Sequence, residues 1–455
     1  MSGIFKAYDV RGLYPSQLDE KRAREIGLAF QFVLDAEDRA QGNTVVVSRD
    51  MREHSPSLMT ALSGGITAGG LDVLDIGLAT TPMNYFAVGH EKAAGGVQTT
   101  ASHNPAEYNG FKFSRHEARP VSGDHGIALM EEKVTAGDLP RAPQSGFVRT
   151  GEIFDAYSEH VLSFLKPAPP ADARRPLKVA VDAANGMGTI YRPILEAAGI
   201  ELIPLYFELD GRFPNHEANP LKEENLKDLE RLVRESGADL GVAFDGDADR
   251  AAFVDEKGVS VGSDLMTALI GGELLAREPG QAVLFDLRSS RAVAEYITES
   301  GGVPVRERVG HSFMKATLRK RHGIFGGELA GHYYFRDHFY ADCALLAVVE
   351  VLNAMRTQGE PLSRLVAPLK RYAKSPEINF VVEDKAGMIE RLAERYRDAE
   401  IDYLDGITFQ YPTWWGNVRP SNTEPFLRLV LEAQTPAELL SRRHELEGFL
   451  GTPAE

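Results

Sequence analysis

At 455 residues, with 50 Lys+Arg against 66 Asp+Glu and a formal net charge of −16, the chain is too long for one hydrophobic core. It is also too acidic to suit general binding of nucleic acid or of an anionic membrane surface. Its one cysteine, Cys343, excludes a disulfide framework or a zinc cluster and fits a reducing cytosol.

The first residues, MSGIFKAYDVRG, contain no apolar core of a secretory leader, so none is expected. No apolar run approaches the roughly 18 residues of a membrane span. Tyr8-Asp9-Val10-Arg11-Gly12 is a small polar cluster that suits either a turn or a site. Thr44–Val47 is a β-branched run that leads into SRDMREHS, then a helix that stops at Gly69-Gly70, then a second strand.

The stretch Thr99–Ser114, TTASHNPAEYNGFKFS, carries the first candidate chemistry. Asn104-Pro105 and Asn109-Gly110 predict turns. Ser102 then has two readings. It is a local backbone cap, or a hydroxyl presented to accept a phosphoryl group. In the second reading Lys112 stabilises negative charge and His103 orients the loop.

The plan repeats twice. Leu177–Asp182 leads into AANGMGT, a helix and Gly199; Ala282–Asp286 leads into LRSSRAV, a helix and Gly301-Gly302. Each unit is a strand–helix–strand crossover of about 30 residues. Three such units predict three related α/β domains. Gly186-Met187-Gly188 is half of a dinucleotide fingerprint, but Tyr191 stands where the third glycine belongs.

Two loops in these units carry chemistry. After the strand Gly241–Phe244, Asp245, Asp247 and Asp249 alternate. Three carboxylates at that spacing suit one hard cation, with sites left for water and a substrate phosphate, as magnesium is usually held. An EF-hand is the rival, because Glu256 falls at its twelfth position; Arg250 in place of glycine and the preceding strand argue against it. A solvated hairpin turn is the plain alternative. In FGGELAGHYYFRD, Glu328 and His332 interrupt an apolar run, and a carboxylate there can accept from two neighbouring sugar hydroxyls. Gly310-His311 is a lesser signal. Cys343 falls in a segment expected to be a buried helix.

After Pro361 the pattern changes. Strand, helix, short strands and a terminal helix predict a smaller α+β domain, joined near Val366–Pro376. Its loop RPSNTEPFLRL places Arg419, Ser421, Asn422 and Thr423 together, a set that suits a dianionic phosphate. The expected domains are 1–150, 151–255, 256–368 and 369–455.

Together these motifs resemble the α-D-phosphohexomutase family, and within it the bacterial phosphomannomutase/phosphoglucomutase branch. The pair TASHNP and DGDADR is the most specific part, and the likeness spans essentially the whole chain. The resemblance implies three related α/β domains with mixed sheets. It adds a C-terminal domain like the TATA-box-binding protein, and sets all four around a central cleft. It implies a phosphoserine at Ser102 and one Mg²⁺ held by Asp245, Asp247, Asp249 and the Ser102 phosphate. Arg250 and Glu328 match substrate contacts, and Arg419, Ser421, Asn422 and Thr423 match the phosphate clamp. Arg11, Lys112, His311 and His332 match cleft residues for proton transfer or charge stabilisation. The segment DGRFPNHEANP matches an interdomain segment of the branch, with no role derivable from sequence.

Two positions depart from the family. Ala330 replaces the serine of Gly-Glu-x-Ser-Gly, which removes one expected substrate hydrogen bond. Arg288 stands where lysine is common, and either can meet a phosphate. The implied reaction interconverts hexose 1- and 6-phosphates (mannose or glucose) through a hexose 1,6-bisphosphate. A cytoplasmic monomer or weak homodimer is expected. The rivals are a phosphoglucosamine mutase, a Mg²⁺-dependent phosphatase, and a non-catalytic sugar-phosphate or Ca²⁺-binding protein. Ala248 tells mildly against the first, whose loop more often reads DGDGDR.

Overall fold

The computed structural model describes residues 3–34, 36–40, 42–123, 126–166, 175–421 and 426–454. In the first sheet, Thr44–Arg49 lies between Asp72–Leu78 and Gly95–Thr99 and runs parallel to both. The second sheet sets Leu177–Asp182 between Ile200–Leu205 and Leu240–Phe244 in the same way. The third sets Ala282–Asp286 between Val303–Glu307 and Phe325–Gly327. In each, the third strand then turns back into an antiparallel neighbour: Tyr108–Arg115, Ala251–Val254 or Tyr333–Phe335.

The three units are thus copies of one mixed-sheet plan, as the strand–helix–glycine pattern predicts. Parallel neighbours require a crossover, and the helices supply it. Gly70, Gly199 and Gly301 end the crossovers at φ of 85°, 71° and 77°, where glycine alone has no steric cost. The plan has a positional consequence. The loop at the carboxyl end of the third strand falls at the same place in every copy: residues 100–107, 245–250 and 328–332. Those are the loops that hold Ser102, the three aspartates and Glu328.

Asn109-Gly110, expected as a turn, lies inside the strand Tyr108–Arg115. Gly110 pairs with Arg11, and a Cβ there would stand 2.1 Å from the Val10 carbonyl oxygen. Here glycine serves close strand approach, not chain reversal. The buried Asn109 side chain is held by His54 Nδ1 at 2.7 Å and by Ser55 Oγ at 2.8 Å.

The first three units share a continuous apolar core, from Val46 and Phe86 through Val181 and Phe244 to Phe325 and the helix Ala344–Gln358. Cys343 caps that helix and is buried, its thiol 3.3 Å from the Tyr157 hydroxyl. Burial pushes the thiol up to about 12, so it packs and does not react.

From Ala373 the chain builds a separate antiparallel sheet. Its order is Ala373–Lys374, Phe426–Ala433, Trp414–Pro420, Ile407–Gln410 and Glu400–Asp402; Ile378–Val381 also pairs with Phe426–Ala433. Phe380, Leu392, Leu429 and Leu446 form its own core. Polar pairs bridge it to the third unit, among them Lys374–Asp264 at 2.5 Å and Arg291 Nη2 to the Tyr411 carbonyl at 2.8 Å. Separate cores with a polar junction favour relative motion. Among the described residues no helix is long and apolar enough to cross a membrane.

Candidate active site

Ser102 is buried and has φ of 50°. That conformation costs a non-glycine residue about 1–3 kcal/mol and persists only where the surroundings enforce it. The Ser102 N–H donates to Thr100 Oγ1 at 2.9 Å. Its hydroxyl is no local cap: Oγ donates to Asp245 Oδ2, in the second domain, at 2.8 Å. His103 Nδ1 stands 3.4 Å from the same oxygen. Burial, then the charges of Arg250, Arg11 and Lys112, push the His103 imidazole well below its usual range. Arg11 pairs with Asp9 at 2.5 Å and donates to Asn104 in the serine loop.

The aspartate loop is tightened from within. Asp249 N and Arg250 N donate to Asp245 Oδ1 at 3.1 and 3.2 Å. Asp245, Asp247 and Asp249 are all buried, and one oxygen from each lies within 4.8 Å of the others. Lys112 Nζ donates to Asp247 at 2.7 Å and also to Asp249; Thr81 Oγ1 donates to Asp247 at 2.5 Å. Asp247 Oδ1 and Asp249 Oδ1 stay buried without a hydrogen-bond partner. Orphaned buried carboxylate oxygens are costly. An all-oxygen set with two such atoms fits a hard divalent cation.

The charges couple. Burial, reinforced by Asp249 and Asp247, raises the Asp245 carboxyl well above the usual range. Burial also acts to raise Asp249, but Lys112 and His332 outweigh it and hold that carboxyl low. Burial alone would lower Lys112; Asp247, Asp249 and Asp245 instead hold its ammonium above the ordinary lysine range. Glu256 takes no part in this cluster. It accepts from Ser363 N at 3.1 Å and from Ser363 Oγ at 2.5 Å, which removes the EF-hand alternative.

The third domain adds the sugar loop. Glu328 is buried; its Oε1 accepts from Gly310 N at 2.9 Å and its Oε2 from the Tyr334 hydroxyl. His332 Nδ1 stands 3.6 Å from Glu328, and His332 Nε2 accepts from Arg250 Nε at 3.2 Å. His311 opens the helix His311–Lys320, edge-on to Tyr8 at 5.1 Å and 6.3 Å from the His332 ring. Burial, then Lys315 and His332, push the His311 imidazole well below its usual range.

Leu329 N donates to Asp286 Oδ2 at 2.7 Å, which joins this loop to an arginine cluster. Arg288 forks onto Asp286, with Nη2 to Oδ2 at 2.6 Å. Arg288 Nη1 stands 3.6 Å from Glu377. Arg419, buried, donates to Glu377 Oε2 at 2.7 Å, and Arg428 to Oε1 at 3.1 Å. Ser421 N donates to the Phe426 carbonyl at 2.9 Å. Asn422 and Thr423 lie outside the described residues. Sequence reasoning missed Glu377, Thr81 and Tyr334. Nothing local marks them, since each matters only through partners distant in the chain.

Against known proteins, four models match consecutive parts of the chain. They are phosphoglucomutase/phosphomannomutase alpha/beta/alpha domains I (residues 2–140), II (155–258) and III (262–372), and the C-terminal domain (377–448). A Xanthomonas campestris protein named phosphohexose mutases is 39% identical over 98% of both chains. A Pseudomonas syringae phosphomannomutase/phosphoglucomutase is 36% identical over 96% of this chain and 92% of its own. A crystal structure of a family protein from Burkholderia thailandensis superposes with a TM-score of 0.89 at 34% identity, covering 99% of this chain and 98% of that one. The chain belongs to the phosphoglucomutase/phosphomannomutase family of hexose phosphate mutases, phosphotransferases of the isomerase class. The family is metal-dependent, and the acidic trio Asp245, Asp247 and Asp249 could hold a metal ion.

Proposed function

We propose that this chain interconverts mannose or glucose 1-phosphate with the 6-phosphate through a phosphoserine at Ser102. The observation that carries the reading is the Ser102 hydroxyl, 2.8 Å from Asp245 among three buried aspartates and the half-buried Lys112 ammonium. Asp245, Asp247, Asp249 and the Ser102 phosphate would hold one Mg²⁺, which supplies charge neutralisation to a transferring phosphoryl group.

The protein's own groups do the rest. The P–Oγ bond of phosphoserine breaks as a bond forms from phosphorus to the oxygen of the free sugar hydroxyl, and the Ser102 oxygen leaves with the bonding pair and takes up a proton to become a hydroxyl again. Lys112 and Arg250 put positive charge beside that transfer. The hydroxyl proton passes to a base in the cleft, where the imidazoles of His311 and His332 stand 6.3 Å apart. Glu328, held by Gly310 N–H and the Tyr334 hydroxyl, accepts from two neighbouring sugar hydroxyls. Arg288, Arg419, Ser421, Asn422 and Thr423 bind the phosphate that is not reacting.

The product of this step is a hexose 1,6-bisphosphate. It turns over in the cleft and returns its other phosphate to Ser102. One clamp must accept either phosphate; its Arg419 side lies on a domain with a separate core and its Arg288 side on the third domain, so that motion between the two allows opening between steps. The buried thiol of Cys343 fits a reducing cytoplasm.

Ser102→Ala tests the mechanism. It is expected to abolish mutase activity and to remove the phosphate seen by intact mass. Full turnover by that variant, indifferent to added glucose 1,6-bisphosphate, would overturn the reading. Side-by-side kinetics on mannose, glucose and glucosamine 1-phosphates assign the sugar, where Ala330 leaves the loop one hydroxyl short.

A further inference from the structure

Neither Arg52 nor the segment DGRFPNHEANP has a place in the mechanism above. The structure brings them together behind Ser102. Arg52 lies in the polar turn after Thr44–Arg49 and is 1% exposed. A guanidinium has five N–H donors, and in Arg52 all are engaged. Nε donates to Asp50 Oδ2 at 3.2 Å. Nη1 donates to the carbonyls of Pro105 at 2.7 Å and Tyr108 at 3.1 Å. Nη2 donates to the carbonyls of Ser102 at 2.9 Å and Asn104 at 2.7 Å. Four of the five acceptors are therefore main-chain oxygens of the serine loop and its return strand.

The second domain seals the other side. The Phe213 ring stands 4.9 Å from the Arg52 guanidinium carbon. Gly211 runs so close that a Cβ there would lie 2.6 Å from Arg52 Cα, and a Cβ on Gly246 would lie 2.4 Å from the Ser102 carbonyl oxygen. The loop cannot relax backwards without displacing these backbones. Its inward-turned carbonyls need donors, and the left-handed Ser102 needs enforcement from outside. One flat guanidinium supplies donors in a fixed fork, which a lysine ammonium cannot reproduce.

We infer that Arg52, capped by Phe213, is the positioning residue for Ser102: it holds the serine loop so that the hydroxyl is aimed at Asp245 and the transfer path. Arg52 touches neither sugar nor phosphoryl group and acts through the loop backbone. The inference rests on Ser102 being the phosphoryl carrier. Because the sugar-reading and clamp residues belong to later domains, a misplaced serine lowers kcat and leaves KM. A displacement of about 1 Å costs about 100-fold in rate.

The test uses the full chain as wild type, Arg52→Lys, Phe213→Leu and Ser102→Ala. Steady-state kinetics on glucose and mannose 1-phosphates run with saturating glucose 1,6-bisphosphate. Ser102 phosphate is followed by intact mass, and the folded fraction by thermal unfolding. Arg52→Lys is expected to lower kcat per folded molecule about 100-fold with KM within about threefold. Phe213→Leu is expected to lower kcat by about tenfold with KM likewise unmoved. A folded Arg52→Lys with kcat within about threefold of wild type overturns the inference, as does a loss that only mirrors the unfolded fraction. If Arg52→Lys does not fold, Phe213→Leu decides on the same criteria. A phosphorylated wild type with unimpaired variants sinks this inference alone. An unphosphorylated wild type with an active Ser102→Ala sinks the Ser102 reading and this inference with it.

Discussion

Asp50-Met51-Arg52 and Asp286-Leu287-Arg288 stand at equivalent places in two repeats, at the carboxyl ends of the strands Thr44–Arg49 and Ala282–Asp286. Locally they do the same thing. Asp50 Oδ1 accepts from Arg52 N at 3.0 Å, and Asp286 Oδ1 accepts from Arg288 N at 2.8 Å. Each arginine also turns its Nε onto that aspartate, at 3.2 Å in both. The outer nitrogens part company. In Arg52 they are saturated by loop carbonyls; in Arg288 Nη1 faces Glu377 at 3.6 Å, beside Arg419. In the third domain the aspartate itself holds the neighbouring loop, through Leu329 N at 2.7 Å. One inherited turn thus supplies an internal brace in one domain and a cationic wall in the other. What differs is the loop that packs against it.

Stability should separate the two turns most widely. Asp50→Asn leaves a fully buried guanidinium without its carboxylate and should cost about 3–5 kcal/mol. Asp286→Asn leaves Arg288 beside Glu377 and should cost about 1–2 kcal/mol. Urea unfolding midpoints measure both, and equal losses would erase the distinction.

Kinetics give the next contrast. Where Arg52→Lys lowers kcat, Arg288→Lys should raise KM for glucose 1-phosphate about tenfold, the worth of one charge-assisted hydrogen bond of about 1.5 kcal/mol. Its kcat should stay within about threefold. A kcat defect in both would mean that Arg288 also braces a loop.

Glu377→Gln touches only the third-domain side. Its carboxylate competes with an incoming phosphate for Arg419 and Arg288, so the amide should lower KM about threefold, roughly 0.6 kcal/mol. An increase in KM would show that Glu377 aligns the guanidiniums instead.

The smallest effect is on acid stability. Burial acts to raise the Glu377 carboxyl, but Arg288, Arg419 and Arg428 outweigh it and hold it below its usual range. A folded-state pKa below the unfolded one gives stability that is full above about pH 4.3 and is lost as pH falls through the lower, folded value. Thermal unfolding between about pH 5 and 3 should therefore fall less steeply in Glu377→Gln than in wild type. Identical slopes would show that the pairing adds nothing to stability.

Much of this was readable along the chain, because it is local. Glycines after each crossover helix must lie where φ is positive, so Gly70, Gly199 and Gly301 marked the repeat. Asp245, Asp247 and Asp249 sit in one tight loop, so their spacing alone implied a cation. Asn109-Gly110 misled for the opposite reason. Its glycine answers a strand about a hundred residues away in sequence, at Val10, and no local pattern reports that approach.

By itself the sequence determined the repeated strand–helix plan, the residue types of each loop and the acid trio, since these follow from short-range sterics, periodicity and charge repulsion. The tertiary structure decided the rest. It put Ser102 against Asp245, 143 residues apart. It set Arg52 under the serine loop with Phe213 over it, and gave Glu377 its three arginines. A hydroxyl, a guanidinium or a carboxylate has many possible partners in a chain. Burial makes each unpaired group costly, and so the packed fold selects which partner it keeps.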